Sequence, residues 1–262
     1  MNILYIGDIM GSFGVRVIED NLLNIKKKYQ IDVVLAQAEN VTLGKGISVK
    51  DYYKLKFLGI DGLTAGNHIY QYQEIKSLIE NDDHMIVGLA NYGCQKRYKI
   101  LSTASGDILF FSLLGQIVGK DANIVRDNPL KIADEILTSI QNNQSIKAII
   151  VNFHGDYSSE KVMIGHYLDG RVQAVIGDHW HVPTNDARIL PGGTAHITDV
   201  GMCGALNASL GVQADVVINR WLTGRKTKNI LENNGKWQFN AVNINLNSTY
   251  QVNSINTINL VG

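Results

Sequence analysis

Apolar runs of strand length alternate with amphipathic stretches through the first half of the chain. Apolar residues recur at helical spacing over 14–28, and a second helix is predicted over 48–58 with Ser48 as its N-cap. Pro129, preceded by Asn128, marks the start of a further helix. The apolar runs that we predict to be buried strands are 3–6, 33–36, 63–65, 149–151 and 174–176. This alternation indicates an α/β protein.

The second half of the chain continues this pattern and then becomes rich in strand signals. Strands are predicted over 195–199, 237–246 and 255–260. Alternation at 237–241 predicts that one face of that strand lies in the core. Further short strands are predicted at 85–87, 98–101 and 108–113. An α/β half followed by a β-rich half predicts two packed mixed β-sheets flanked by helices, and the lack of any linker-like stretch predicts a single domain over 1–262.

Polar side chains that can bind metals or move protons follow the apolar runs directly. They are Asp8, Glu39 with Asn40, Asn67 with His68, His154, and His179 with His181. Because the carboxyl ends of strands form one rim of an open α/β sheet, we expect these side chains to converge although they are distant in sequence. Together they supply enough carboxylate, amide and imidazole ligands for two metal ions.

Each of these residues also has an ordinary explanation when it is taken alone. A histidine after a strand is usually a satisfied polar residue, and a carboxylate at a strand exit often caps a helix or lies exposed in a loop. His179-Trp180-His181 is more specific, since the chain turns after a strand and can bring two such imidazoles to neighbouring positions. Five clusters at five strand ends have no shared structural explanation, so we interpret them as a metal site.

The predicted ligand set suits phosphoryl chemistry at a pair of metal ions. Two cations about 3.5–4 Å apart lower the pKa of bound water toward about 7 and clamp a phosphoryl group for in-line attack. A histidine outside the metal shell would protonate the leaving oxygen. Mixed oxygen and imidazole ligands suit Fe, Mn or Zn better than Mg or Ca. The sequence therefore predicts phosphoester hydrolysis with two transition-metal ions.

Composition limits which binding partners and which cellular compartment we expect. The 24 basic residues balance the 24 acidic ones, so the chain has no strong nucleic-acid signature. Cys94 and Cys203 form no Cys-x-x-Cys pair, which argues against a disulfide framework or a structural zinc cluster. No signal peptide and no apolar run of membrane-spanning length is recognised. We expect a cytoplasmic protein with a small phosphodiester or nucleotide substrate and no membrane partner, and a homo-oligomer is left open.

The motifs, taken in order, carry a resemblance that extends over nearly the whole chain. They are Ile6-Gly7-Asp8-Ile9-Met10-Gly11-Ser12, Ala38-Glu39-Asn40, Gly44-Lys45-Gly46, Gly66-Asn67-His68, Phe153-His154, Ser159-Glu160-Lys161, His179-Trp180-His181-Val182, Arg188-Ile189-Leu190-Pro191 and the run 193–202. With these motifs the chain resembles the YmdB-like branch of the calcineurin-type metallophosphoesterases. Other members of that superfamily open with Asp-x-His, and the lack of this histidine in Asp8-Ile9-Met10 is typical of the branch.

The resemblance implies a role for each ligand residue. It assigns one metal ion to Asp8, Glu39, Asn40 and His181, and the other to Glu39, Asn67, His154 and His179, with Glu39 bridging. It implies that His68 is the general acid and that a metal-bridging hydroxide is the nucleophile. The implied fold is a four-layer αββα sandwich. The implied activity is hydrolysis of phosphodiesters, with 2′,3′-cyclic nucleotides as substrates, Fe or Mn as the expected metals and Zn as a further candidate.

The sequence departs from the family pattern near the expected substrate site. Ile69-Tyr70-Gln71 follows His68 where the family has an aromatic and an acidic residue. Trp180, flanked by Asp178, stands where the family often has threonine. Gly115-Gln116-Ile117 replaces a Gly-Arg pair that would contact phosphate. The departures leave all expected ligands in place but leave the substrate preference open. The remaining histidines, His84, His166 and His196, match no ligand position.

Two other functions are compatible with parts of the pattern. Gly7, Gly11 and Gly14 follow the first strand, and Glu39 ends the second, as in a dinucleotide-binding module. That hypothesis leaves the asparagine and histidine clusters unexplained. In the second alternative the protein keeps its metals but serves as a nucleotide sensor whose catalysis is incidental.

Overall fold

The strands form two stacked β-sheets in the computed structural model, which describes residues 1–116 and 126–262. The strands are β1 (Asn2–Ile6), β2 (Asp8–Ile9), β3 (Val33–Gln37), β4 (Gly62–Thr64), β5 (Lys99–Leu101), β6 (Asp107–Leu114), β7 (Ile146–His154), β8 (Ala174–Asp178), β9 (Arg188–Ile189), β10 (Ala195–Ile197), β11 (Met202–Ala205), β12 (Trp237–Leu246) and β13 (Val252–Val261). The α-helices are α1 (Gly11–Tyr29), α2 (Val49–Phe57), α3 (Ile75–Glu80), α4 (Pro129–Ile140), α5 (Ser158–Tyr167) and α6 (Ala214–Thr223).

Both sheets are mixed, and each contains a block of parallel strands. The first sheet has the order β2-β11-β12-β1-β3-β4, with β13 beside β12. In it β1, β3 and β4 are parallel, whereas β12 is antiparallel to β1. The second sheet has the order β5-β6-β7-β8-β10-β9, with β6, β7, β8 and β10 parallel. Each block therefore brings the carboxyl ends of several strands to one edge.

Alternating side chains of the strands build a layered core. On β1, Ile3 and Tyr5 pack between the sheets, where they meet residues such as Phe110 of β6. Leu4 and Ile6 point the other way, against the buried faces of α1, α2 and α3. The outer face of the second sheet packs against α4 and α5. The four layers confirm the predicted αββα arrangement of two mixed sheets, while the prediction of one domain stays a prediction.

Helix starts follow the predicted capping residues. The Ser48 hydroxyl accepts a hydrogen bond from the Asp51 amide at 3.2 Å, and α2 begins one residue later. The Asn128 side chain accepts from the Leu130 amide at 2.9 Å, with Pro129 in the first turn of α4. Both predicted N-termini are confirmed. None of the helices in the described ranges is long and apolar enough to cross a membrane.

The second half contains the predicted strands as β10, β12 and β13 but is not purely β-rich. It contains α5 and α6, which the sequence did not predict. The buried positions of α5 are Lys161, Ile164 and Gly165, so the helix has no apolar stripe, and α6 buries no residue at all. The strand predicted at 85–87 forms only an isolated bridge between Leu63 and Ile86. The face of β12 that carries Phe239 and Ala241 lies in the core as predicted. Further along the strand the opposite face, with Val242 and Ile244, packs between the two sheets, so β12 is buried on both faces.

Candidate metal centre

All eight predicted site residues lie at the edge where the parallel strands end. Asp8, Glu39, Asn40 and His154 are buried, and Asn67, His68, His179 and His181 are partly buried. A cleft of about 430 Å³ opens onto this edge and is lined by Glu39, Asn40, His68, His179 and His181, among others. Strand direction within each sheet, together with the stacking of the two sheets, thus explains how residues from five separate segments reach one place.

One half of the centre is a compact group around His154. Ligand atoms of Glu39, His154 and His179 all lie within 4.8 Å of one another. The His154 Nε2 atom is 2.9 Å from the Asn67 Oδ1 atom and 3.5 Å from the Glu39 Oε1 atom. These are the four residues that the resemblance assigns to one metal ion.

The neutral state of the His154 ring favours a metal cation at this position. Its Nδ1 atom is 2.7 Å from the Asp178 Oδ1 atom, to which we assign the single N–H of the neutral ring. Burial lowers the pKa of His154 well below its usual value, so the ring is neutral. Its Nε2 lone pair then faces two oxygen acceptors, an arrangement that a metal ion would stabilise. A carboxylate behind a ligand histidine is the usual way of orienting such a ring.

The other half of the centre contains oxygen atoms that have no hydrogen-bond partner. Among the described residues, Asp8 Oδ1 and Asn40 Oδ1 are buried without one. Asp8 Oδ1 is 3.8 Å from the His181 Nε2 atom, and the His181 Nδ1 atom is 3.3 Å from the Leu210 carbonyl oxygen. Burial raises the pKa of Asp8 to about 7, and a neighbouring cation would restore the carboxylate. Buried polar atoms are rarely left without a partner, so these two oxygen atoms are suited to binding a second metal ion.

Glu39 lies between the two halves. Its Oε1 atom faces His154, and its Oε2 atom accepts a hydrogen bond from the His68 amide at 2.8 Å. A Cβ atom on Gly66 would lie 2.2 Å from the Glu39 Oε2 atom and 2.5 Å from the His154 Cε1 atom. Only glycine therefore allows the 66–68 turn to pass beside the carboxylate, and the geometry suits a bridging role for Glu39.

A buried ion pair holds the loop that carries two of the histidines. His179 and His181 have φ values of 102° and 62°, a region that non-glycine residues rarely occupy. The Asp199 Oδ2 atom accepts hydrogen bonds from the Trp180 amide at 2.9 Å and from Lys161 Nζ at 2.7 Å. Lys161 Nζ also lies 4.1 Å from the centre of the Trp180 ring. Lys161 and Asp199 thus stabilise a strained backbone that places both imidazoles.

Several residues that support the ligands were missed by the sequence reasoning. Asp178 orients His154, and its Oδ2 atom accepts hydrogen bonds from Gln37 at 2.7 Å and Tyr5 at 3.1 Å. Asp156 Oδ1 is 2.8 Å from the His179 Nε2 atom. Burial lowers the pKa of His179 to about 3, which leaves this ring neutral as a ligand should be. The only available signal was the position of both aspartates, directly beside a ligand segment.

The residues that depart from the family pattern have different surroundings. Trp180 lines the cleft and donates its ring N–H to the Asp156 carbonyl oxygen at 2.9 Å. Tyr70 instead packs against the first sheet's helical core and donates its hydroxyl to the Tyr92 carbonyl oxygen at 3.1 Å. The Gln116 amide donates to the Glu160 carboxylate, whereas Ile117 lies outside the described residues. Trp180 is therefore the departure placed to touch a substrate.

The other histidines have local roles away from the ligands. His84 packs edge-on to Tyr52, with ring centres 5.7 Å apart, and His166 is exposed. The buried His196 makes a 3.0 Å contact between its Nδ1 atom and the Val175 carbonyl oxygen. Their positions agree with the prediction that they match no ligand.

Packing explains the glycines of the dinucleotide-binding alternative. A Cβ atom on Gly7 would lie 2.0 Å from the Gly201 carbonyl oxygen, and one on Gly14 would lie 2.4 Å from the Cys203 carbonyl oxygen. These glycines make room for the neighbouring backbone of 201–203 rather than for a pyrophosphate. Glu39 lies among the candidate metal ligands His154 and His179.

The chain is similar to a known protein family, to curated relatives and to solved structures. The model of the YmdB-like protein family matches residues 4–258. The 2′,3′-cyclic-nucleotide 2′-phosphodiesterase of Bacillus subtilis is 36% identical over 225 residues, which cover 85% of this chain and 83% of the relative. The crystal structure of a phosphatase from Mycoplasma pneumoniae superposes with a TM-score of 0.90 at 30% identity and covers 100% of this chain and 93% of the other.

A more distant structure shares the fold alone. A Staphylococcus aureus protein, provisionally named a 5′-nucleotidase, superposes with a TM-score of 0.56 at 13% identity, over 98% of this chain and 54% of the other. The family match extends over nearly all of the sequence, and it includes every segment that supplies a ligand residue. The chain therefore belongs to the YmdB-like family of proteins, as the motifs indicated.

Proposed function

We propose that this protein is a dinuclear-metal phosphodiesterase that hydrolyses 2′,3′-cyclic nucleotides. Its class, a phosphoric diester hydrolase, is confirmed by the names of its relatives, one of which is a 2′,3′-cyclic-nucleotide 2′-phosphodiesterase. The observation that carries the finer proposal is the convergence of seven donor residues, Glu39 among them, at one edge of the sheets. Two of their oxygen atoms are buried and lack hydrogen-bond partners.

The donors divide into two overlapping sets. Asp8, Asn40 and His181 with Glu39 would hold one metal ion, and Asn67, His154 and His179 with Glu39 the other. When bound, the two ions supply Lewis acidity to the phosphoryl group and activate the attacking water. The mixture of oxygen and neutral imidazole donors favours Fe or Mn, with Zn as the alternative.

His68 is the residue that we propose as the donor of the proton that the leaving oxygen needs. Its amide binds the Glu39 carboxylate, and its side chain lines the cleft. The backbone contact fixes the residue beside Glu39, and the imidazole Nδ1 atom lies 3.4 Å from the Asn67 Nδ2 atom. In a 2′,3′-cyclic nucleotide the leaving group is a ribose oxygen, which is a poor leaving group unless it is protonated.

The proposal is tested by metal analysis combined with a substrate panel. The purified protein should contain two transition-metal ions per chain and should hydrolyse 2′,3′-cyclic AMP faster than a phosphomonoester such as p-nitrophenyl phosphate. Elemental analysis gives the metals, and phosphate-product assays give kcat/KM for each compound. Two bound metals without turnover of any diester would favour the nucleotide-sensor alternative, and a protein that binds no transition metal would contradict the proposal.

A further inference from the structure

The cleft at the metal centre continues into a second depression on its outer side. This depression has a volume of about 390 Å³ and shares Met10, Gly44, Lys45, Val212, Arg220 and Asn229 with the first. The shared walls join the metal-binding edge to the end of α6 and to the segment that follows it. A substrate larger than one reacting phosphate can therefore extend from the metal centre along α6.

Arg220 is held in this shared wall by neutral groups. Its Nε atom donates to the Thr227 hydroxyl at 3.0 Å, and its Nη2 atom donates to the Asn229 Oδ1 atom at 2.6 Å. Its Nη1 group makes no hydrogen bond in the described part of the chain. Since arginine carries five donors and a permanent charge, the guanidinium is oriented but keeps donors available.

The positive charge of this wall is not compensated by nearby acids. Within residues 1–116 and 126–262, no carboxylate lies within ion-pair distance of Arg220, Lys45 or Lys228. The two acids that line the metal cleft, Glu39 and Asp156, both contact histidines of the metal centre. The outer part of the cleft is therefore cationic, although the chain as a whole has no net charge.

We propose that Arg220, assisted by Lys45 and Lys228, binds a second phosphate group of the substrate. The inference rests on the proposed function and specifies its substrate class, which is a cyclic nucleotide bearing a phosphate besides the one that reacts. An oriented guanidinium with donors to spare is the side chain best suited to a phosphate, which it can bind through two parallel hydrogen bonds. The second phosphate can be a 5′-phosphate or an internucleotide phosphate of an RNA fragment with a cyclic end.

Arg220 could also have a purely structural role, and the test must distinguish this role from phosphate binding. It lies in the last turn of α6, where a cation is favourable, and its two hydrogen bonds tie the helix to 227–229. A purely structural arginine would affect stability but not the choice between substrates. Arg225 is a matched control, because it is exposed, lies just beyond the end of α6 and lines neither depression.

The test compares kcat/KM for 2′,3′-cyclic AMP with kcat/KM for the same compound carrying a 5′-phosphate. We expect the wild type to prefer the phosphorylated compound by about tenfold or more, as for a charged hydrogen bond. In R220M the preference should fall toward one, in R220K it should be partly retained, and in R225M it should equal that of the wild type. K45M, at an exposed residue, should reduce the preference even if R220M does not fold.

Other outcomes would overturn the inference. They are equal kcat/KM values for the two compounds in the wild type, a preference that survives R220M, and a lower melting temperature of R220M with an unchanged preference. If the wild type hydrolyses neither compound, the proposed function itself fails and the inference fails with it. A dinucleotide ending in a 2′,3′-cyclic phosphate is assayed in parallel. Its kcat/KM shows whether an internucleotide phosphate or a 5′-phosphate improves the substrate more.

Discussion

The floor of the cleft and its outer wall are built in opposite ways. On the floor, ligand residues stand at the ends of buried strands, and further buried residues such as Asp178 and Lys161 hold them. The wall consists of α6, which buries no residue, and of the exposed segment 224–230. The floor therefore has the rigidity that metal chemistry needs, and the wall can change in sequence without disturbing the fold. Under the two proposals above, chemistry and substrate choice are carried by different parts of the molecule.

The largest effect on the floor should come from E39Q. The substitution removes the charge shared by both metal positions, so both ions should be lost and kcat/KM should fall by about 10³-fold or more, equivalent to several kcal/mol. Metal content by elemental analysis and hydrolysis of 2′,3′-cyclic AMP are the measurements. E19Q, at an exposed position on α1, is the control and should behave as the wild type. A variant E39Q with two metals and normal turnover would remove Glu39 from the bridging position.

H68A should separate proton transfer from metal binding. The variant should keep its metals, because His68 contributes its amide rather than its side chain to Glu39, and kcat for 2′,3′-cyclic AMP should fall by about 10²–10⁴-fold. Bis(p-nitrophenyl) phosphate has a leaving group that needs no proton, so the loss should be much smaller with this compound. An equal loss for both compounds would argue against general-acid catalysis by His68.

K161M tests how much the buried ion pair beneath the floor contributes to stability and to metal binding. Removing one partner of a buried ion pair leaves Asp199 without its counter-charge, which should lower the free energy of unfolding by about 3–5 kcal/mol. The loop carrying His179 and His181 should loosen as well, with metal affinity weaker by about 10–100-fold. Urea unfolding and metal titration measure the two effects.

The double variant K161M/D199N is the control for this experiment. It removes both charges, so it should recover much of the lost stability. Metal affinity should stay weak in the double variant, because the hydrogen bond from Lys161 to the Asp178 carbonyl oxygen at 2.5 Å is still missing. Wild-type metal affinity in both variants would show that the ion pair supports the fold alone.

The sequence predicted the floor much better than the wall, for physical reasons. Asp8 and Glu39 follow parallel strands of the first sheet, and His154 ends a parallel strand of the second. Strand direction brings each to the carboxyl edge of its sheet, and the predicted packing of the two sheets brings the edges together. Lys161 gave no such signal, since a lysine on a helix is ordinarily exposed and its partner Asp199 is distant in sequence. Helix α6 was missed although its apolar residues recur at helical spacing over 214–222. None of them is fully buried, and Val217 alone of the α6 residues packs against a small buried cluster in the described part of the chain.

The smallest effect should come from the wall. Trp221 on α6 is 84% exposed, so W221A should change the free energy of unfolding by no more than about 0.5 kcal/mol. The matched substitution F239A, at a fully buried aromatic residue of β12, should cost about 3–5 kcal/mol. Urea unfolding of the two variants at several protein concentrations measures the contrast. A loss of about 2 kcal/mol in W221A that grows with protein concentration would mean that another copy of the chain covers Trp221, and the wall would then belong to an interface rather than to an open cleft.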